Sequence, residues 1–406
     1  MGILIENRDR HSCIPDNWMK EGLENIASIL DGKRKPIKKS ERVPGGIPYY
    51  GATGVIDWVN DYIFDEELIL VGEDGENLKS RVLPMAFKIS GKTWVNNHAH
   101  VIKPSNNIDI NYLTYYLESI SYEDYITGSA QPKLNQAQLK KIPVVYPPLK
   151  EQQKIADILS TVDEQIENTE QLIEKTKELK KGLMQRLLTK GIGHTKFKQT
   201  DLGEIPEEWE VKKIGDFCKV KSSKRIHQKD YVQVGVPFFR SKEVKELANN
   251  RAITTEIYIT KEKYDEIKSK FDVPKKGDIL ITSVGTIGDV WISDGREFYY
   301  KDGNLTQIVR NDKLEPVLIK YLFNSPLLRS QYLNQSNGSA QMALTIEKIN
   351  KLNIVVPSKA EQKKIISILS AVDEQITSYE KEREKYMELK KGLMQQLLTG
   401  KKRVTV

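Results

Sequence analysis

The sequence predicts an α/β (α+β) protein made of two copies of one unit, each a strand-rich globular part closed by a long helix. Three observations carry this. A 39-residue segment recurs without a gap, its second copy 210 residues after its first. Both copies carry an apolar seam at helical spacing. The stretches before each copy are broken into short β-prone runs by Gly, Asn and Asp.

The first globular part spans residues 1–148. Strands are expected at 67–71 and 86–89, a helix at 111–119, and a short buried strand at Ile142-Pro-Val-Val145. The first long helix follows over 149–190, with Pro148 suited to open it. Residues 191–204, Gly-rich and polar, read as a linker. The second globular part, 205–357, carries expected strands at 278–282, 290–292 and 352–355 and a helix at 316–325. The second long helix occupies 358–406, and Ser358-Lys-Ala-Glu361 has the spacing of a capping box.

Glu151–Thr189 and Glu361–Thr399 are identical at 26 of 39 positions, so the chain is a duplicated unit. Upstream the likeness thins. Gly128-Ser-Ala-Gln131 recurs as Gly338-Ser-Ala-Gln341, and Ile14-Pro-Asp-Asn-Trp18 as Ile205-Pro-Glu-Glu-Trp209. A near-constant helix behind a divergent globular part suits a shared frame carrying two different readers.

The expected seam of the first helix is Ile155, Leu159, Val162, Ile166, Thr169, Ile173, Thr176, Leu179, Leu183 and Leu187. That of the second is Ile365, Leu369, Val372, Ile376, Tyr379, Arg383, Tyr386, Leu389, Leu393 and Leu397. So narrow a stripe, sustained over many turns, is better buried against another long helix than against a sheet. Gly182 and Gly392 suggest close approach by a helix or by a partner's backbone, with a kinked or frayed last turn as the alternative. At 1.5 Å per residue such a helix is a rod of roughly 58 Å, the length of about 17 base pairs. Paired antiparallel, two rods would hold two globular domains apart. A coiled coil that only dimerises the protein, or docks it on a partner, stays open on periodicity alone.

Composition excludes several classes. Of 406 residues, 39% are apolar and 29% charged, and no run of eighteen apolar residues offers a membrane span. The first residues lack the apolar core of a secretory signal, and Glu6 stands where myristoylation after Met-Gly wants Ser or Thr. Two cysteines, Cys13 and Cys218, give neither a disulfide framework nor a zinc knuckle, and a cytoplasmic location is expected. The net charge of +7 is unevenly spread: residues 14–148 carry −2, residues 205–357 carry +5. Bulk charge therefore does not by itself argue for a nucleic-acid partner.

Local clusters argue for one better. Lys33, Arg34, Lys35 and Lys38 precede Tyr49, Tyr50 and Thr53, and Lys221, Lys224 and Arg225 precede Arg240, Ser241 and Lys242 at the matching place. Basic groups beside aromatics can neutralise phosphates and reach guanine edges, although a solvated loop explains any single one equally well. Thr286 lies in Ser283-Val-Gly-Thr-Ile-Gly288, which lacks the Gly-Lys-Ser/Thr ending of a P-loop and reads as a tight turn. Gln131 and Gln341 suit an adenine, a phosphate or a turn. His98 and His100 have no third ligand evident in the sequence, so no metal is expected. Motifs of adenine methylation, adenosylmethionine binding, nucleotide hydrolysis and metal-dependent DNA cleavage are missing.

These features together resemble the specificity subunit of type I restriction–modification enzymes. The marks are the two Ile-Pro-x-x-Trp openings, Gly277-Asp-Ile-Leu-Ile…Gly285-Thr-Ile-Gly288, and the helices Glu-Gln-x-Lys-Ile…Val-Asp-Glu-Gln-Ile…Leu-Lys-Lys-Gly-Leu-Met. The first unit departs from the Gly-Thr-Ile-Gly pattern with Val71-Gly-Glu-Asp-Gly-Glu76. The resemblance implies a non-catalytic protein binding no cofactor itself. It implies two target-recognition domains in approximate twofold symmetry, each reading one half of a bipartite, asymmetric site in double-stranded DNA. Its partners would be two modification subunits using S-adenosylmethionine and two restriction subunits using ATP and magnesium. Two other readings compete: a coiled-coil assembly protein whose globular parts bind protein, and a stand-alone nuclease or methyltransferase.

Overall fold

The computed structural model of the chain describes residues 14–128, 131–334 and 343–405. Two units emerge, one formed by Met1–Leu172 with Tyr379–Val406, the other by Ile173–Ser378.

In the first unit, Leu-Ile-Leu-Val-Gly has no polar alternation, so it must be covered on both faces. It forms the fully buried strand Leu68–Gly72, flanked by Ala99–Pro104 and Ala86–Ile89 in an antiparallel sheet whose fourth strand is Ala27–Ile29. A second four-stranded sheet runs in the order Gly54–Val59, Pro44–Gly51, Lys92–Val95, Phe64–Asp65, with its middle pair parallel. Met19–Gly22 and Pro143–Tyr146 make a separate two-stranded pair. The helix Ile110–Ser119 starts where the Asp109 carboxylate accepts from the Tyr112 N–H, and it buries Tyr112, Leu113, Tyr116 and Leu117 in the core that holds Ile69, Val71 and Ile102.

The second unit repeats the plan with little of the sequence. Its antiparallel sheet is ordered Val220–Lys221, Leu305–Ile308, Ile279–Thr282, Val290–Ile292. Its mixed sheet is ordered Tyr231–Val232, Tyr258–Ile259, Val236–Phe239, Tyr299–Tyr300, and again the last-named pair is parallel. Glu210–Lys213 pairs with Asn353–Val356 as Met19–Gly22 does with Pro143–Tyr146.

The long helices are Leu149–Leu187 and Lys359–Leu397. Within the first unit, Ile155, Ala156 and Leu159 near the start of one share a core with Met394, Leu397 and Leu398 at the end of the other. Within the second unit, Met184, Leu187 and Leu188 share a core with Ile365 and Leu369. Start packs against end in each unit, so the helices pair antiparallel.

Four expectations change. Leu179 and Leu389, assigned to the seam, are 55% and 48% exposed. The seam alternates steps of three and four, and after Thr176 the next inward position is residue 180; phase overrules apolarity. Gly182 and Gly392 do not admit a close helix, because a Cβ at either would meet nothing within 4 Å. Glu361 does not close the capping box: Ser358 Oγ accepts from the Glu361 N–H at 3.3 Å, but the carboxylate is engaged elsewhere. The stretch read as linker holds a hairpin, Phe197–Thr200 with Gly203–Pro206.

Candidate nucleic-acid interface

The repeated motif residues are joints. Gln152 Oε1 accepts from the Asp109 N–H at 2.8 Å, and its Nε2 donates to the Asn107 and Pro147 carbonyls. Gln362 does the same with Glu315, Lys313 and Pro357. Tyr115 donates to Asp163 and Tyr321 to Asp373, and each aspartate also takes a lysine from the other helix, Lys390 and Lys180, at 2.5 Å. Glu151 takes Arg403 twice at 2.7 Å, while Glu361 takes the Ile192 N–H, His194 and the Trp209 indole N–H at 2.8–2.9 Å. Arg403 also donates to the Asp16 carbonyl and Asn17 Oδ1, so the start of each long helix meets an Ile-Pro-x-x-Trp segment, Glu151 through Arg403 and Glu361 directly at Trp209. Gly191 and Gly400 turn away there at φ of 63° and 72°, where a Cβ would run into Trp209 and Glu361, or into Pro15.

Several residues expected to face DNA are committed internally. Arg34, with a side chain only 13% exposed, donates to Glu73 at 2.6 Å and to the Ala99 carbonyl at 2.8 Å. Tyr49 is buried, its hydroxyl accepting from the Ile37 N–H, with the Arg42 guanidinium over its ring. Tyr50 is half-buried against Phe87. Lys33, Lys35, Lys38 and Gln131 are exposed, and Thr53 lies half-buried at the hairpin turn. In the second unit Lys221 pairs with Asp272, Arg225 with Asp302, Arg240 with Glu243 and Glu256, and Lys242 with Glu256. Lys224 is exposed, with its ammonium 5.3 Å from the Phe271 ring. Thr286 is exposed on the turn, Ser241 Oγ is buried without a partner, and Gln341 lies outside the described residues.

In each unit the backbone brings the same loops to one end of the sheets. The Asn96 N–H donates to the Tyr50 carbonyl, Glu73 to His98, and Leu134 to Glu73. Lys301 donates to Phe239, Ser283 to Asn304, and Leu344 to Ser283 in the same relation. The loops at 74–76 and 97–98 therefore match those at 284–286 and 302–304, 131–133 matches the stretch at 343, and the hairpin turn at 52–53 is replaced by the start of the helix Ser241–Ala248. Thr53, Gln131, Ser241, Lys242 and Thr286 all lie on these loops or at their borders. Arg34 and Arg225 each reach the third turn, at the Asn97 carbonyl and at Asp302. In the second unit a concavity of about 510 Å³ opens there, lined by Arg225, His227, Gln228, Tyr231, Lys301 and Asn304 among others.

The equivalence of Glu73 with Ser283 explains where the first unit leaves the Gly-Thr-Ile-Gly pattern. In the second unit Ser283 Oγ and Thr306 Oγ1 share a hydrogen bond of 2.7 Å. In the first, the same two places hold Glu73 and His100, with Asp31 beside them. The His100 ring has Nδ1 2.7 Å from Asp31 and Nε2 2.7 Å from the Leu134 carbonyl. Asp31 and Glu73 are the ligands that the sequence did not offer to His100, and all three are buried. Arg34 and Lys133 bring positive charge to Glu73, at 2.6 and 3.0 Å. Burial raises both carboxyl pKa values, but His100 at Asp31, and Arg34 with Lys133 at Glu73, more than reverse this and hold them below the usual range. The cluster ties the 31–35 loop, the 73–76 loop and the 131–134 loop together.

No helix of the described residues is long and apolar enough to cross a membrane. A family model described as the type I restriction modification DNA specificity domain matches residues 15–178 and again 206–388. A proposed type I restriction enzyme specificity subunit of Haemophilus influenzae is 33% identical over 349 residues, covering 86% of this chain and 85% of that one. The MjaVIII specificity subunit of Methanocaldococcus jannaschii is 27% identical over 96% of this chain and 94% of its own. Among solved structures, the specificity subunit of the type I system of M. genitalium superposes with a TM-score of 0.60 at 16% identity, covering 98% and 99% of the two chains. A chain from a structure of type I system assembly and conformational transition gives 0.56 at 15% identity, covering 95% and 98%.

Proposed function

The chain belongs to the type I restriction–modification DNA specificity family, and from that premise we propose that its two units read the two unlike halves of one bipartite DNA site. A specificity subunit is the non-catalytic member of its enzyme. It acts with DNA and with other subunits. The target-recognition domains are residues 1–148 and 205–357, and the loop ends described above face the duplex.

The observation that carries the reading is the pairing of equal frames with unequal loops. Equivalent backbone hydrogen bonds tie matching segments together in both units, yet Glu73, His98 and His100 stand where Ser283, Asn304 and Thr306 do. Equal frames dock alike on DNA, and unequal side chains ask for different bases.

Two modification subunits, using S-adenosylmethionine, and two restriction subunits, using ATP and magnesium, complete the enzyme in the cytoplasm. Twofold stoichiometry is favoured by the helices, since Leu179 with Gly182 and Leu389 with Gly392 offer the same exposed apolar spot twice. The test is duplex binding by the chain with its modification subunits over a range of salt. A steep fall of log affinity with log salt is expected for phosphate contacts, and a flat line would favour the protein-binding alternative. Methylation or cleavage by the isolated chain would overturn the reading altogether.

A further inference from the structure

Sequence specificity needs side chains that are exposed, held still and still short of a hydrogen-bond partner. Most polar groups at the loop ends fail one of these conditions. Arg34 is spent on Glu73, and Lys133 bonds the same carboxylate. His98 meets all three. Its side chain is 51% exposed. Its backbone N–H donates to Asn96 Oδ1 at 2.8 Å, and its ring Nδ1 sits 2.8 and 3.0 Å from the two Asp74 oxygens. Asp74 thereby fixes the ring and puts the proton on Nδ1, leaving Nε2 pointing away with no partner among the described residues. A ring already oriented loses little entropy on meeting a base.

The second unit places a different reader at the same spot. The Glu73 N–H donates to the His98 carbonyl and the Ser283 N–H to that of Asn304, so the two residues occupy one position of the frame. Gly303, at φ of 74°, turns the chain just before it, and exposed Asn304 lines the concavity beside Arg225 and Lys301. A carboxamide can pair in two-point fashion with adenine N6 and N7, whereas an imidazole nitrogen that accepts suits an exocyclic amino group.

We infer that His98 and Asn304 are equivalent base-reading residues, one for each half of the site, and that Asp74 is the positioning residue that aims the first. The inference rests on the DNA-reading function proposed above and goes further by assigning one residue to each half-site.

The full chain, assembled with its modification subunits, is incubated with a library of randomised duplexes, and the bound fraction is sequenced. The unaltered protein is expected to select two fixed blocks separated by a gap. His98→Ala should relax one or two adjacent positions of one block, by about tenfold in base preference, and leave the other block intact. Asn304→Ala should do the converse. The surviving block in each case shows that the protein is folded and bound. His98→Asn should install a new preference at the positions that His98→Ala relaxes. Asp74→Ala should relax those same positions, and combining it with His98→Ala should add nothing.

Three results overturn the assignment: both blocks unchanged, both blocks lost together, or a uniform fall in affinity with preferences intact. The last is the signature of a phosphate contact. Failure of the unaltered protein to select two blocks would instead remove the underlying function.

Discussion

His100 carries more of the first unit than its single side chain suggests. It is fully buried, and both ring nitrogens face acceptors at 2.7 Å, one of them the Asp31 carboxylate. Replacing it by Ala leaves the buried Asp31 carboxylate and Leu134 carbonyl short of a hydrogen-bond partner, so His100→Ala is expected to cost about 3 kcal/mol in stability. Thermal unfolding of the chain checks this, and Thr306→Ala at the equivalent place should cost only about 1 kcal/mol. The pH response differs between the units for the same reason. Asp31 and Glu73 have lowered folded-state pKa values, so their stabilisation is complete above their unfolded values near pH 4 and fades as pH falls through the folded ones. Hydrogen exchange at the Val101 amide, which donates to Asp31, and at the Leu134 amide, which donates to the Glu73 carbonyl, should accelerate below about pH 4, while the Ser283–Thr306 bond has no carboxylate to lose. None of this cluster is legible in the sequence. Asp31, Glu73 and His100 are separated by 42 and 27 residues, and only the crossing of strands brings them together. The basic run 33–38 is legible as a run, but Arg34 turning inward depends on that same distant Glu73.

At the scale of elements, the long helices were the most legible part, because a seam and a gapless repeat are local signals. One strand of each pair that opens and closes a unit is signalled by the short runs at 142–145 and 352–355, while its partner, Met19–Gly22 or Glu210–Lys213, carries no such run. Apolarity alone assigns Leu179 to the seam, yet Lys180 holds the inward phase, where its ammonium reaches Asp373 and lies 5.8 Å from the Tyr321 ring. Leu389 and Lys390 repeat the arrangement with Asp163 and Tyr115. The two leucines are thus left outside on purpose-built phase, beside glycines that leave open space. If they seat the modification subunits, Leu179→Glu and Leu389→Glu should each reduce the assembled complex by one such subunit in native mass measurements. Folding stability should move by no more than about 0.5 kcal/mol, since neither side chain is buried. Full assembly of the doubly substituted chain would remove these spots as docking sites.

On the scale of the whole molecule, each unit is completed by the end of the other copy's helix. Neither half of the sequence therefore encodes a finished unit, and the long helices each contribute residues to both units. Their length is then a design variable separable from the readers. Residues 169–175 and 379–385 are matched heptads distant from the helix residues that enter the cores, which are 155–159, 184–188, 365–369 and 394–398. Deleting both heptads keeps the seam in phase, because residue 176 then follows Ile166 at the step of three that Thr169 occupied. Each helix shortens by about 10.5 Å, the rise of about three base pairs. Every base pair removed also turns one half-site by roughly 34° relative to the other, which opposes the full adjustment. The spacer is therefore expected to shrink by about one to three base pairs with both half-sites unchanged, and selection from randomised duplexes measures both quantities together. Altered half-sites with the original spacer would mean that the helices do not set the distance between the readers, and that the duplex is positioned by the loop ends alone.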